Sequence, residues 1–483
     1  MASRIPSKEP TLATTIVACL VGTMAWILIA SIYVGAEAGQ PQFALSVFAA
    51  VAVCTVGLAG LVYAAHQQFV AKENLFSDRR DAFDYRTAGQ WAVVTGATDG
   101  IGKAYARQLA KDYGMDLLLI GRNPEKLKAV TELISSETKK KTRIISMTIA
   151  LTTTCGAQTE NSISSGAPTE PTNTGPIRLE YPWYSRLRAL IEGTLQPDGG
   201  IGVLVNCAGV TYPHPEYFAS MMSDGVSDVM DDDDGGGDDD DDDVPFTADF
   251  CDNADAAIKC NVAAPVQMCR LVLPGMLARG RGLIINVGSA SASIPPAAPL
   301  MALYAATKKF LEKLSADLDD ECVYLCRDKN PYGVRVQCVR PAYVATAMLR
   351  SANPDIRATD DECEDGEADD ADDYGDRNWW TARKRNLLDR AERWLVPSAD
   401  KWVRSALLQG GRLYAAGSAS AGPANFTGYW PHTLMVWFAR LASAVLPRGW
   451  YVEKVLIPGM LKYRAKGRSA IKAAKNIKRG TGQ

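Results

Sequence analysis

Two stretches near the amino end carry no charge at all: Thr11 to Gly35 over 25 residues and Phe43 to Ala65 over 23. As helices, each is long enough to cross the roughly 30 Å hydrocarbon core of a bilayer. The turn between them, AEAGQPQ, holds only Glu37, while Arg4 and Lys8 precede the first run and Lys72, Arg79, Arg80 and Arg86 follow the second. Positive charge on both outer flanks predicts a transmembrane helical hairpin with both ends cytosolic. A cleaved signal peptide ending near Ala36-Glu37-Ala38 is the competing reading, but the apolar run is too long for one and a second span follows at once.

From Gln90 onward the pattern becomes short aliphatic runs alternating with amphipathic ones. Strands are predicted near Trp91–Thr95, Asp116–Gly121, Arg143–Ile149, Gly202–Asn206, Gly282–Val287 and Val334–Val339. Helices are predicted near Lys103–Asp112, Pro124–Ser135, Trp183–Thr194, Asn253–Ala278, Met301–Asp319 and Asp400–Gln409. Near-continuous apolar strands alternating with helices predict an α/β domain, a doubly wound parallel sheet covered on both faces. Three stretches break the rhythm: 152–176 is rich in Thr, Ser, Gly and Pro, and 222–244 and 352–376 are acidic. Without apolar periodicity they read as solvated insertions. Apolar and aromatic character returns over Tyr429–Leu446 and Trp450–Leu461, predicting a C-terminal pair of interfacial or substrate-covering helices before a basic tail.

Charge sharpens this division. The net charge of −3 is the sum of opposed parts, because Asp231–Asp243 and Asp355–Asp376 hold ten and twelve acids and leave the rest of the chain strongly basic. A basic body suits a phosphate-bearing cofactor, a CoA-like substrate or an anionic membrane face. No nucleic-acid motif accompanies it, so no nucleic-acid partner is expected. Eleven cysteines include no C-x-x-C pair and only three histidines are present. Free thiols and no metal site are therefore expected. The Asp runs lack the spacing of a calcium loop.

The joint between the first predicted strand and helix reads WAVVTGATDGIG, Trp91 to Gly102. Glycines there let the backbone turn tightly beside a pyrophosphate while the helix start presents unpaired N–H groups to it. Downstream, Tyr304-Ala-Ala-Thr-Lys308 puts a phenol and an ammonium on one helix face. A phenol titrates near 10 in water, and an adjacent cation favours its anion. Other predicted strands end at Asn206-Cys-Ala-Gly209 and at Gly288-Ser289. In a parallel sheet all these ends face one crevice.

With these residues in place, the chain resembles a classical short-chain dehydrogenase/reductase. Within that family it looks like the membrane-bound branch containing the very-long-chain 3-oxoacyl-CoA reductases, also called type 12 17β-hydroxysteroid dehydrogenases. The stretches that carry the likeness are TGATDGIGKAYARQLA (95–110), VLVNCAGVTYPHPEYF (203–218), CRLVLPGMLARGRGLIINVGS (269–289), YAATKKF (304–310) and VRPAYVAT (339–346). The resemblance implies a Rossmann-type core over 88–350, an acidic loop over 351–395, and a last segment over 396–483 that completes the core and adds membrane-proximal helices, with the hairpin over 1–70.

The resemblance also implies roles. Tyr304 would protonate the substrate oxygen, Lys308 would hold the nicotinamide ribose and lower the tyrosine pKa, Ser289 would hydrogen-bond the carbonyl, and Asn261 would anchor a relay water. Ser291 fits the family's usual spacing to the tyrosine, whereas Ser289 fits its place after the strand. Cofactor contacts would come from Gly96, Thr98, Asp99, Gly100, Ile101, Gly102, Asn206, Ala208, Gly209, Lys308, Val344 and Thr346. Arg122, at the end of the second strand where an acid would bind a ribose hydroxyl, favours the 2′-phosphate of NADPH. Thr152, Cys207 and Ala342 depart from the family pattern. The expected activity is reduction of a 3-oxoacyl-CoA at the endoplasmic-reticulum membrane with the catalytic part in the cytosol. A steroid or other lipid ketone is an alternative substrate, and a non-catalytic membrane scaffold is the alternative of another class. Homodimers and elongation-complex partners are further implications of the resemblance.

Overall fold

A computed structural model describes residues 83–139, 141–153, 156–158, 178–218, 254–294, 296–327, 333–352, 395–415 and 425–480. The predicted hairpin over 1–70 and both acidic runs lie outside the described residues. Seven parallel strands form the main sheet: β1 (Trp91–Thr95), β2 (Asp116–Gly121), β3 (Ile144–Thr148), β6 (Ile201–Asn206), β7 (Gly282–Val287), β8 (Val334–Val339) and β9 (Asn425–Phe426). Two short strands, β4 (Gly156–Gln158) and β5 (Arg178–Glu180), pair antiparallel apart from it. Thus a small ladder begins inside the stretch 152–176, where the sequence predicts no regular structure.

The spatial order is β3-β2-β1-β6-β7-β8-β9. The chain winds outward from β1 to β3 and then returns to lay β6 against the other side of β1. That reversal opens a crevice at the carboxyl ends of β1 and β6, where ligands bind in wound sheets. Every residue of β1, β2, β6, β7 and β8 is buried, whereas β3 is largely open. Burial on both faces explains why β1, β6 and β7 read as near-continuous apolar runs, whereas β8 alternates and buries Arg335 and Gln337.

Alternate side chains feed two cores, one per face. Ala92, Val94, Leu117, Leu119, Val203 and Val205 belong to one, packed with Tyr105 and Leu109 of α1 (Gly100–Lys111), with Leu127 of α2 (Pro124–Glu137), and with Trp402 and Leu407 of α7 (Ala399–Ala415). Trp91, Val93, Leu118, Ile120, Leu204 and Ile284 belong to the other. Leu187 of α3 (Pro182–Leu190), Met268 and Val272 of α4 (Ala254–Arg279) and Cys322 of α5 (Ala302–Cys326) pack there. Among the described residues α4 is long and apolar enough to cross a membrane, yet Met268, Val272 and Met276 are core residues of this second layer.

Several element limits differ from the sequence reading for local reasons. Helix α1 starts at Gly100 rather than Lys103 because Asp99 caps it, accepting the Gly100 N–H at 2.7 Å. Helix α5 runs on to Cys326 rather than Asp319 because Cys322 and Cys326 are both buried. Strand β9 is not predicted at all. The basic tail is helical for much of its length: after α6 (Ala347–Ala352), α7 and α8 (Trp430–Val445), the chain passes through Arg448–Tyr451 and a π-turn, Val452–Leu456, into α9 (Ile457–Gly480).

The chain divides into two compact units. One comprises Phe83–Tyr429 and Ala442–Gln483; the other comprises Met1–Ala82 and Trp430–Leu441. The sheet and everything described below belong to the first.

Candidate active site

The turn between β1 and α1 leaves room for a ligand to meet bare main chain. At Gly96 the backbone takes a φ of +67°, and a Cβ there would fall 2.8 Å from the Ala208 backbone. At Gly102 a Cβ would stand 2.2 Å from the Gly96 carbonyl oxygen. Only glycine lets the helix start so close beneath the turn. A Cβ at Gly100 would meet Thr346 Cγ2 at 2.9 Å, and one at Gly121 would meet Thr98 Cγ2 at 2.7 Å. The two threonines therefore wall the turn. Ile101 packs on the first core, Val344 is buried, and Arg122 stands exposed directly after Gly121.

The strand ends are pegged to one another by side chains. Thr95 Oγ1, at the end of β1, accepts the N–H groups of Cys207 and Ala208 at 3.1 and 3.2 Å. Asn206 Nδ2 donates to Asn286 Oδ1 at 2.8 Å, and Asn286 Nδ2 donates to Ser315 Oγ of α5 at 2.9 Å. The buried Asn206 Oδ1 has no hydrogen-bond partner among the described residues. A narrow cleft lined by Thr95, Asn206, Ala208 and Cys260 among others lies beside it. The cradle of glycines and the exposed arginine beyond the second strand fit the phosphates of a dinucleotide, and the unclaimed Asn206 oxygen suits a donor such as a ribose hydroxyl.

Tyr304 and Lys308 lie one turn apart on α5. Lys308 is buried, its Nζ donates to the Val287 carbonyl at 2.9 Å, and it stands 5.8 Å from the centre of the Tyr304 ring. A Cβ at Gly209 would be 3.3 Å from Lys308 Nζ and 3.5 Å from Asn261 Oδ1. The Asn206–Gly209 turn thus touches both. Asn261 sits in a π-turn of α4, Lys259–Ala263, where the widened helix turns its amide inward. It accepts the Val210 N–H, donates to the Val210 carbonyl, both at 2.8 Å, and donates to Thr307 Oγ1 at 3.1 Å. Burial pushes the nearby Cys260 thiol up to about 11, against the pull of the Lys308 and Arg122 charges.

Ser289 caps the short turn Ala290–Ala292 after β7, and its Oγ lies 2.8 Å from Ser291 Oγ. The two serines between which the sequence leaves the choice form one hydroxyl pair. Lys308, which grips Val287, ties this segment to α5. A residue that the sequence does not single out completes the neighbourhood: the Tyr212 hydroxyl accepts the N–H groups of Leu303 and Tyr304. Tyr212 lies in the stretch 203–218 that carries the family likeness, but no local spacing links it to α5, so its role there is not legible from the sequence.

The short chain dehydrogenase family model matches residues 90–164 and 241–357. A 17-beta-hydroxysteroid dehydrogenase type 3 of Danio rerio is 33% identical over 282 residues, 58% of this chain and 69% of that protein. The chain belongs to the short-chain dehydrogenase family. Family members use a nicotinamide cofactor, in keeping with the cradle described above. Very-long-chain 3-oxoacyl-CoA reductases of Anas platyrhynchos and Homo sapiens are 36% and 34% identical, over 55% and 56% of this chain. The chain spans 63% and 64% of the length of these two relatives. Among solved structures, a short-chain dehydrogenase from Sphingobium yanoikuyae in complex with NADPH is 23% identical with a TM-score of 0.36, covering 53% of this chain and 72% of that one.

Proposed function

We propose that this short-chain dehydrogenase is an NADPH-dependent reductase that converts a 3-oxoacyl-CoA to the 3-hydroxyacyl-CoA. The observation that carries the reading is the convergence of Lys308 and Asn261 on the Gly209 turn, with Lys308 Nζ 5.8 Å from the Tyr304 ring centre, beside the Gly96–Gly102 cradle. The names of the 3-oxoacyl-CoA reductase relatives supply the substrate class. Gly96, Thr98, Asp99, Gly100, Ile101 and Gly102 would receive the pyrophosphate, Arg122 the 2′-phosphate, and Asn206, Ala208, Gly209, Val344 and Thr346 would line the rest of the cofactor's path.

When bound, NADPH supplies a hydride. The protein's part is to hold the ketone and supply the matching proton. Tyr304 gives its hydroxyl proton to the carbonyl oxygen, and the Ser289–Ser291 hydroxyl pair donates to the same oxygen as negative charge gathers on it. Lys308 holds the ribose and keeps a positive charge beside the phenol as it loses its proton. Asn261 fixes the segment after Asn206, so that its main chain can hold a relay water.

A lipid-facing substrate suits an anchored enzyme. The two charge-free runs before residue 70 and the basic residues flanking them support a hairpin in the endoplasmic-reticulum membrane, with the catalytic unit on the cytosolic side. A second reading changes only the substrate, to a steroid ketone, and is favoured by the zebrafish relative, of which this chain covers the larger share. The deciding assay gives purified protein NADPH with a 3-oxoacyl-CoA or a 17-keto steroid, beside Tyr304→Phe. Loss of roughly 100-fold to 10,000-fold in kcat is expected from the substitution. Turnover unchanged by it would sink the mechanism, and no turnover on any ketone would leave the scaffold reading in its place.

A further inference from the structure

Helix α5 lacks an ordinary cap. Met301 precedes it and makes no side-chain hydrogen bond to the first turn, although the first N–H groups of a helix need acceptors. Tyr212 supplies one from another segment, its hydroxyl accepting from Leu303 N at 2.8 Å and from Tyr304 N at 3.2 Å. The ring packs on Met301, Leu303 and Tyr304 itself. Four residues on, Glu216 N–H donates to the Leu300 carbonyl at 2.9 Å. Leu300 is a buried non-glycine residue with a φ of +60°, a strained conformation that persists only where its surroundings impose it. The Tyr212–Glu216 segment therefore grips both sides of the point where α5 begins.

That segment is in turn held by the last helix. The Glu216 carboxylate, buried, lies 2.8 Å from Arg464 Nε and 3.0 Å from Arg468 Nη2 of α9. Burial alone would raise its pKa, but the two guanidinium groups outweigh it and hold the carboxyl below the usual range. Gly467 lies between the two arginines, and a Cβ on it would come within 2.5 Å of His214 Cβ. The backbone of α9 thus rests directly on this segment, and the Arg464 guanidinium stands 5.5 Å from the Tyr217 ring centre.

We propose that Tyr212 and Glu216 are positioning residues for Tyr304: they form a strut through which the seating of α9 fixes the start of the helix that carries the candidate acid. The inference rests on the reading of Tyr304 given above. Both act through the main chain at the start of α5, so the strut alters the aim of the phenol and leaves the cofactor cradle as it is.

Two variants test it. Tyr212→Phe keeps the ring and removes only the hydroxyl, and Arg468→Gln alters a side chain that is nearly half exposed, so both retain the core. For Tyr212→Phe, kcat falls about tenfold, the scale of a lost helix cap, while the ketone KM and the NADPH Kd stay within about twofold. Arg468→Gln gives a smaller loss of the same kind, and the double variant loses no more than Tyr212→Phe alone, since both act through one strut. Amide hydrogen exchange at Leu303 and Tyr304 accelerates in both variants. Unchanged exchange at those two amides overturns the strut. Faster exchange with an undiminished kcat, or losses that add in full, overturns the positioning role. If the unaltered protein reduces no ketone, the functional reading alone is refuted, because exchange reads the strut without turnover.

Discussion

Asn261 and Val210 exchange two hydrogen bonds of 2.8 Å, the side-chain amide of one clasping the main chain of the other. The clasp holds the segment after β6 against α4, and Asn261 Nδ2 extends it to Thr307 of α5. Asn261→Asp keeps the acceptor but sets a carboxylate against the Val210 carbonyl. Stability should fall by about 1 to 3 kcal/mol, read from urea unfolding, with a parallel loss of kcat. An unfolding midpoint equal to that of the unaltered protein would show that the amide does not hold this segment.

Arg122 stands exposed immediately after Gly121, whose missing side chain leaves Thr98 in its place. Replacing it with Asp puts an anion where a 2′-phosphate would lie. The ratio of kcat/KM with NADPH to that with NADH should drop by at least about tenfold, the scale of one charge-assisted contact. If the ratio does not move, another group reads the phosphate.

Helix α5 is anchored to β8 by a buried ion pair. Arg335 Nε and Nη2 each donate to an Asp319 oxygen at 2.8 Å, and the Val336 N–H donates to the same carboxylate at 2.7 Å. Asp319→Ala takes from the buried guanidinium the carboxylate it grips with two hydrogen bonds, leaving only the weaker influence of Asp320, which costs about 3 to 5 kcal/mol. Chemical denaturation should reveal that loss. A cost below about 1 kcal/mol would mean that water enters and replaces the carboxylate.

Burial pushes the thiols of Cys269, Cys322 and Cys338 up to about 12, against about 8.5 in an unfolded chain. Below the unfolded value both states keep the proton, and these groups make stability independent of pH. Above it the unfolded chain gives up protons that the fold retains, so stability falls as pH rises toward 12. The slope reaches about 1.4 kcal/mol per pH unit for each thiol. Melting temperature should therefore drop steadily from about pH 8.5 upward, and less steeply in Cys269→Ala. An equal slope in that variant would remove Cys269 from the account.

What the sequence makes legible is what burial and backbone geometry write locally. Residues 91–95, 202–206 and 282–287 read as strands because both faces are covered, so that polar residues appear only at or next to their carboxyl ends. Gly96 and Gly102 announce the turn because any side chain there would collide with main chain. Tyr304 and Lys308 are four apart and so share a helix face. The missing pieces depend on partners distant along the chain. Asn425–Phe426 is a strand only because it pairs with Cys338 and Val339, and two residues carry no periodicity. Tyr212 is 91 and 92 residues from the amides it caps. Glu216 and Arg468 are 252 residues apart, and a lone acid in a loop looks like any solvated one.

That last separation sets a timetable for synthesis. At about 5 to 20 residues per second, a ribosome needs roughly 10 to 50 s to get from Glu216 to Arg468. Over that interval the remaining strands and covering helices emerge and the sheet can close its two cores, but the carboxylate waits without its counter-ions. Tyr304 would therefore gain its final aim only as the last helix emerges, making catalytic competence one of the latest steps in the protein's maturation.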